Sequence, residues 1–143
     1  MAFSETVRKQ ICAEVDGFCS NPKCRAQLGH YIRGLSYPVG EACHIVAESA
    51  DGPRGLSSLN AEERSRASNG IWLCEKCHGM IDDPLDWPDY PAPILHEWKA
   101  STKEWCKEIR AVPFHQISDN RDRRKVSLVD SDSLIGADNF LNF

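Results

Sequence analysis

Seven cysteines in a chain of 143 residues, four of them in two short-spaced pairs, carry the clearest chemistry in this sequence. Cys19-Ser-Asn-Pro-Lys-Cys24 and Cys74-Glu-Lys-Cys77 each have the form of a tight knuckle. Structural zinc takes four thiolate or imidazole ligands in a closed tetrahedron, and two such pairs supply them. The spacing therefore predicts one structural Zn2+ held by Cys19, Cys24, Cys74 and Cys77. His78 directly follows Cys77. Neighbouring helical residues point about 100° apart, so His78 and Cys77 cannot both face one closed site. His78 is thereby left for other work. Cys12 and Cys106 read as small buried hydrophobes.

Reading these thiols as ligands rather than disulfides depends on the compartment. The segment Met-Ala-Phe-Ser-Glu-Thr-Val-Arg-Lys has no apolar core of a signal peptide, and no apolar run is long enough to span a membrane. The expectation is a cytoplasmic protein with reduced thiols and no membrane partner. A hydrophobic share of 41% and a charged share of 27% are those of an ordinary globular domain. The net charge of -4 is a poor footprint for a protein that grips nucleic acid tightly by charge alone, and it does not exclude a nuclease, because a bound divalent cation offsets acidity locally.

The elements that must position the cysteines can be read in order. Residues 4–16 form an amphipathic helix capped by Ser4, with Val7, Ile11 and Val15 at helical spacing and Gly17 as its stop. Residues 25–40, rich in glycine, form an irregular connection with room for one short strand. Residues 41–47 read as a strand carrying His44 near its end, followed by a turn-rich loop over 48–55. A short helix over 61–67 is capped by Asn60, and Gly70–Leu73 is a second strand. Cys74 to Asp82 has the composition of a short helix. Four prolines make 84–93 a rigid crossover. Pro93 to Ala111 is the clearest helix, with Ile94, Leu95, Trp98, Trp105 and Ile109 on one stripe. The division expected is a domain over 1–112 and a C-terminal tail, or linker to a further domain, over 113–143.

The combination of Cys-x4-Cys, a strand ending in His-Ile, and Asn five residues before Cys-x2-Cys-His resembles the HNH endonucleases, the ββα-metal or His-Me finger group. The resemblance covers residues 19–82. Asn-Gly-Ile-Trp-Leu-Cys at 69–74, Glu-Arg at 63–64, Ile-Asp at 81–82 and Trp-Lys at 98–99 are similar to a bacterial subgroup. It implies an α+β fold: a small ββα-metal nuclease core with structural zinc, flanked by N- and C-terminal helices. It also implies a catalytic set of His44, Asn69 and His78. His44 would be the base that activates water, as a neutral imidazole suits near pH 7. His78 would bind one catalytic cation, Mg2+ or Mn2+, which relieves charge on the phosphate. Asn69 would orient His44 or hold the loop. Products would carry a 5′-phosphate and a 3′-hydroxyl.

Many relatives carry Asp immediately before the catalytic histidine, where this chain has Cys43. A thiolate is a poor partner for a hard cation. Either Cys43 is a spectator, or a carboxylate such as Glu41 or Asp82 completes the metal shell. Arg54 in Gly-Pro-Arg-Gly is either a phosphate contact or a loop-stabilising arginine. The function expected is a metal-dependent DNA endonuclease in restriction or antiphage defence, with DNA as partner. The acidic balance points to help from a sensor domain, an activator or a second copy in a homo-oligomer. The competing reading is a non-catalytic zinc-ribbon module that binds nucleic acid or protein.

Overall fold

A computed structural model describes residues 2–29 and 39–111 of the chain. The expected tail over 113–143 and the middle of the 25–40 connection lie outside the described residues. The chain divides into two compact units, residues 1–102 and 103–143, with the boundary inside the last helix. The described part is α+β: four α-helices and a two-stranded antiparallel sheet.

Helix α1 spans Glu5–Glu14, and the Ser4 hydroxyl accepts a hydrogen bond from the Val7 N–H at 3.2 Å. That satisfies one of the amides a helix start leaves open. Ile11 and Val15 are fully buried. The chain leaves α1 through Asp16 and Gly17, both at positive φ. A Cβ at Gly17 would run into the carbonyl of Gly29, so glycine is required there for packing as well as for its φ of 78°.

Strand β1, Glu41–His44, pairs with β2, Gly70–Leu73, with Glu41 opposite Leu73 and His44 opposite Gly70. Side chains alternate across a strand, and here each face meets its own core. Cys43, Ile71 and Leu73 face one cluster, shared with Cys77, Ile81 and Leu95. Ala42 and Trp72 face the other, shared with Phe3, Ile11 and Val15 of the α1 side. Because both faces are covered, β2 is buried along its whole length.

Between the strands, helix α2 spans Ala61–Arg64 under a capping box: Asn60 Oδ1 accepts from the Glu63 N–H, and Glu63 Oε1 accepts from the Asn60 N–H, both at 2.8 Å. Helix α3, Glu75–Ile81, follows β2 directly and is capped by the Cys74 sulfur. The proline-rich crossover holds a single 3-10 turn, Trp87–Asp89.

Helix α4 spans Ala92–Ala111. Of the expected stripe, Leu95 and Ile109 are buried and the other three residues are not. Leu95, Lys99 and Thr102 are buried, and the stripe continues as Cys106 and Ile109 in the second unit. Ile94 is exposed, and Trp98 and Trp105 are half-buried flanks. Lys99 belongs to the stripe because its ammonium is fully engaged: it donates to Ala67 O at 2.9 Å and Gly70 O at 2.8 Å, and pairs with Glu14 at 2.9 Å. Among the described residues, no helix is long and apolar enough to cross a membrane.

Candidate metal centre and nuclease-type site

Cys19, Cys24, Cys74 and Cys77 converge, their sulfurs all within 4.8 Å of one another. A tetrahedral zinc with bonds of about 2.3 Å places its sulfurs about 3.8 Å apart, and Cys24 and Cys74 stand at 4.0 Å. The first knuckle is shaped by its own backbone. Asn21 Oδ1 accepts from the Lys23 N–H at 3.0 Å, Asn21 O accepts from the Cys24 N–H at 2.8 Å, and Arg25 takes a positive φ of 47°. The second knuckle is the start of α3. Ser20 N–H donates to Trp72 O at 2.8 Å and docks the first knuckle on β2, directly before the second.

The sulfurs also accept hydrogen bonds. Cys74 N–H donates to Cys19 Sγ at 3.5 Å, Cys77 N–H to Cys74 Sγ at 3.4 Å, and Asn21 Nδ2 to Cys77 Sγ at 3.4 Å. Such donors favour thiolate over thiol. Hydrogen bonds from Cys19 and Cys77 hold the Cys24 thiol well below its usual range, while sharing a proton with Cys24 pushes Cys19 up. Four thiols at this spacing, with amides donating to their sulfurs, fit one structural zinc.

One residue further along α3, His78 faces elsewhere. Its Nδ1 lies 2.5 Å from Glu41 Oε1 on β1, and its Nε2 lies 3.1 Å from Asp82 Oδ2, one helical turn on. Asp82 Oδ1 in turn lies 2.5 Å from Arg54 Nη2. Hydrogen bonding to Asp82, then to Cys43 and Glu41, pushes His78 up to about 11 against the opposing effect of burial. His78 and the Arg54 guanidinium hold Asp82 below the usual carboxylate range despite its burial. Cys43 is buried beside the same imidazole. Burial pushes its thiol up, and His78 pulls it down. Glu41, His78 and Asp82 are thus brought together, with Cys43 against them.

The other predicted residues occupy different places. Asn69 is buried, and its side chain closes on the chain just past His44. It accepts from the Val46 N–H at 2.9 Å and donates to Val46 O at 2.8 Å and Arg64 O at 2.9 Å. Its own carbonyl accepts from the Ile45 N–H at 2.9 Å. Asn69 therefore holds the loop. His44 ends β1 on the pleat opposite Cys43, with its ring stacked on Phe3 at 3.9 Å between centroids and 9° between planes. Phe3 is a neighbour that sequence reading missed, because the contact joins residues far apart in the chain. Arg54, with only 4% of its side chain exposed, turns inward. Its Nε donates to Ile45 O at 2.6 Å and its Nη1 to Ile81 O at 2.8 Å. That arrangement is the loop-stabilising one, tying the segment after β1 to the end of α3. Arg64 does the same for the preceding loop through Leu59, Ala47 and Gly55 carbonyls.

No family model matches the chain, and the curated proteins offer no match either.

Proposed function

We propose that this chain is a metal-dependent DNA endonuclease of the HNH type, with a structural zinc and a separate catalytic cation. The observation that carries this reading lies on α3. Consecutive residues Cys77 and His78 serve two clusters of opposite chemistry, four thiols on one side and imidazole with carboxylates on the other. A zinc module that only binds has use for the first cluster and none for the second.

Within this reading, the end of β1 is where a phosphodiester would lie. His44 takes the proton from the attacking water on its imidazole. Stacking on Phe3 fixes the plane of that ring, and Asn69 fixes the chain beyond it, so the base is held by packing and main-chain hydrogen bonds. His78 would hold the cation, with Asp82 and Glu41 at its two ring nitrogens. Such a cation offsets charge on the phosphate and the leaving oxygen. The resemblance implies 5′-phosphate and 3′-hydroxyl ends, and a role in restriction or antiphage defence.

The test is nicking of a supercoiled plasmid by zinc-loaded protein, with and without added Mg2+, Mn2+ or Co2+. Nicking that requires the added cation supports the reading. Tight DNA binding with no cleavage under any of the three would favour the non-catalytic zinc module.

A further inference from the structure

We propose that Cys24 and Cys74 form an oxidation-sensitive pair within the four-thiol cluster: a peroxide joins them in a disulfide, and the cluster then gives up its zinc. The inference stands on the thiol cluster and is independent of the nuclease reading. It makes zinc occupancy, and with it the anchoring of α3, responsive to an oxidant.

The four cysteines differ in their surroundings. Cys19 and Cys77 are 0% and 4% exposed and belong to the core cluster with Ile71, Leu73 and Ile81. Each is also tied inward: Cys19 Sγ accepts from the Cys74 N–H, and Cys77 Sγ accepts from Nδ2 of the buried Asn21. Cys24 is exposed and Cys74 is half-buried. Cys24 ends the turn of the first knuckle, after the exposed Pro22 and Lys23 and before Arg25 at positive φ. Cys74 opens α3, and its sulfur stands 4.0 Å from that of Cys24. Redox-sensitive cysteines pair an accessible thiolate with a second thiol close enough to resolve it. Cys24 fits the first role and Cys74 the second. Cys12, Cys43 and Cys106 are buried, and so shielded from the same oxidant.

The chemistry balances with hydrogen peroxide as the oxidant. The Cys24 thiolate attacks one peroxide oxygen. An S–O bond forms, the O–O bond breaks, and the departing hydroxide takes a proton to leave as water. Cys24 is thereby oxidised by two electrons to a sulfenic acid. The Cys74 thiolate then attacks the Cys24 sulfur. The S–S bond forms, the S–O bond breaks, and a second hydroxide takes a proton and leaves as water. Two thiolates, one peroxide and two protons thus give one disulfide and two waters. Cys19 and Cys77 alone cannot close a tetrahedron, so zinc affinity is lost with the outer pair. The new bond joins the two knuckles, so the start of α3 stays tied to the first one and a dithiol can reverse the change by exchange.

The experiment treats the full zinc-loaded chain with hydrogen peroxide while a chromogenic chelator reports zinc, and then maps disulfides and free thiols by alkylation and peptide mass. The expected result is release of one zinc per chain with loss of two thiols, a Cys24–Cys74 disulfide within one chain, and free thiols at Cys12, Cys43 and Cys106. A dithiol reductant with added zinc should restore full occupancy. Cys24→His keeps a closed set of three thiolates and one imidazole, and should hold its zinc under peroxide that empties the wild type. If that variant binds no zinc, the wild-type disulfide map decides by itself. A disulfide within one knuckle, a disulfide between copies, sulfinic acid without a disulfide, or zinc retained through exhaustive peroxide would each overturn the inference. So would a zinc-loaded Cys24→His protein that releases its metal at the wild-type rate. A wild-type chain with no zinc to release would overturn it together with the four-thiol site. None of these readouts uses DNA, so failure of the nuclease reading leaves the inference standing.

Discussion

Arg54 shows how much a single side chain can hold. Its guanidinium links the carbonyls of Ile45 and Ile81 and fixes Asp82, so it joins the segment after β1 to the end of α3. Removing it leaves two buried acceptors and a carboxylate without their donor. Arg54→Met should cost about 3 kcal/mol, the lower end for breaking a buried ion pair, since Asp82 keeps some solvent. Arg54→Lys should recover little, because an ammonium cannot reproduce the planar fork. Urea unfolding of both variants measures this, and a loss under 1 kcal/mol in Arg54→Met would show that the fork is dispensable. The inward turn of this residue was not legible in Gly-Pro-Arg-Gly, where a loop arginine has equal reason to face phosphate. Its partners lie 9, 27 and 28 residues away, and only the folded chain brings them together.

At the scale of elements, local signals were dependable and the face of a long helix was not. The Ser4 and Asn60 caps, both strands and α3 follow from neighbouring residues alone. The face of α4 depends on what it packs against. Helical spacing suggested a stripe through Ile94, Leu95, Trp98, Trp105 and Ile109, of which Leu95 and Ile109 are buried, the tryptophans half-buried and Ile94 exposed. Instead, Lys99 supplies three polar contacts that the start of β2 and the end of α1 require, and the stripe rotates to admit it. Two substitutions separate these faces. Leu95→Ala should cost about 2–5 kcal/mol, while Ile94→Ser should stay within about 0.5 kcal/mol. Thermal or urea melting that finds the reverse order would refute the observed face. Lys99→Ala should cost about 3 kcal/mol, because hydrogen bonds from a charged donor are each worth about 1.5–3 kcal/mol.

At the scale of the whole molecule, the four thiols close a loop of about fifty residues between the two knuckles, so zinc affinity and folding are one quantity. Cys74→Ser should release zinc and melt the region around α3, whereas His78→Ala should keep zinc, since its ring faces the carboxylates. Elemental analysis should find one tightly held zinc per chain in the wild type, and clearly less would undo the four-thiol site. The net charge of -4 bears on substrate binding. DNA cleavage by the monomer should be weak, because a chain of net negative charge makes few phosphate contacts. It should rise when the protein oligomerises or engages an activator. Robust cleavage by a dilute monomer at physiological salt would contradict that. The four-thiol cluster was legible in the sequence because each knuckle is local and four thiols have few alternatives. The cluster at His78 was only half legible, because Glu41 becomes a neighbour of His78 through strand pairing and helix packing.

In the proposed nuclease, folding and chemistry use separate residues of one small core, and the decisive variant is His44→Ala. His44 is outside the thiol cluster, so the variant should fold, retain one zinc and melt close to the wild type. Loss of a general base lowers rates by about 10²–10⁴-fold, so cation-dependent plasmid nicking should fall by that amount in a sample matched for zinc content. A folded, zinc-loaded His44→Ala protein that nicks plasmid at the wild-type rate would contradict the assignment.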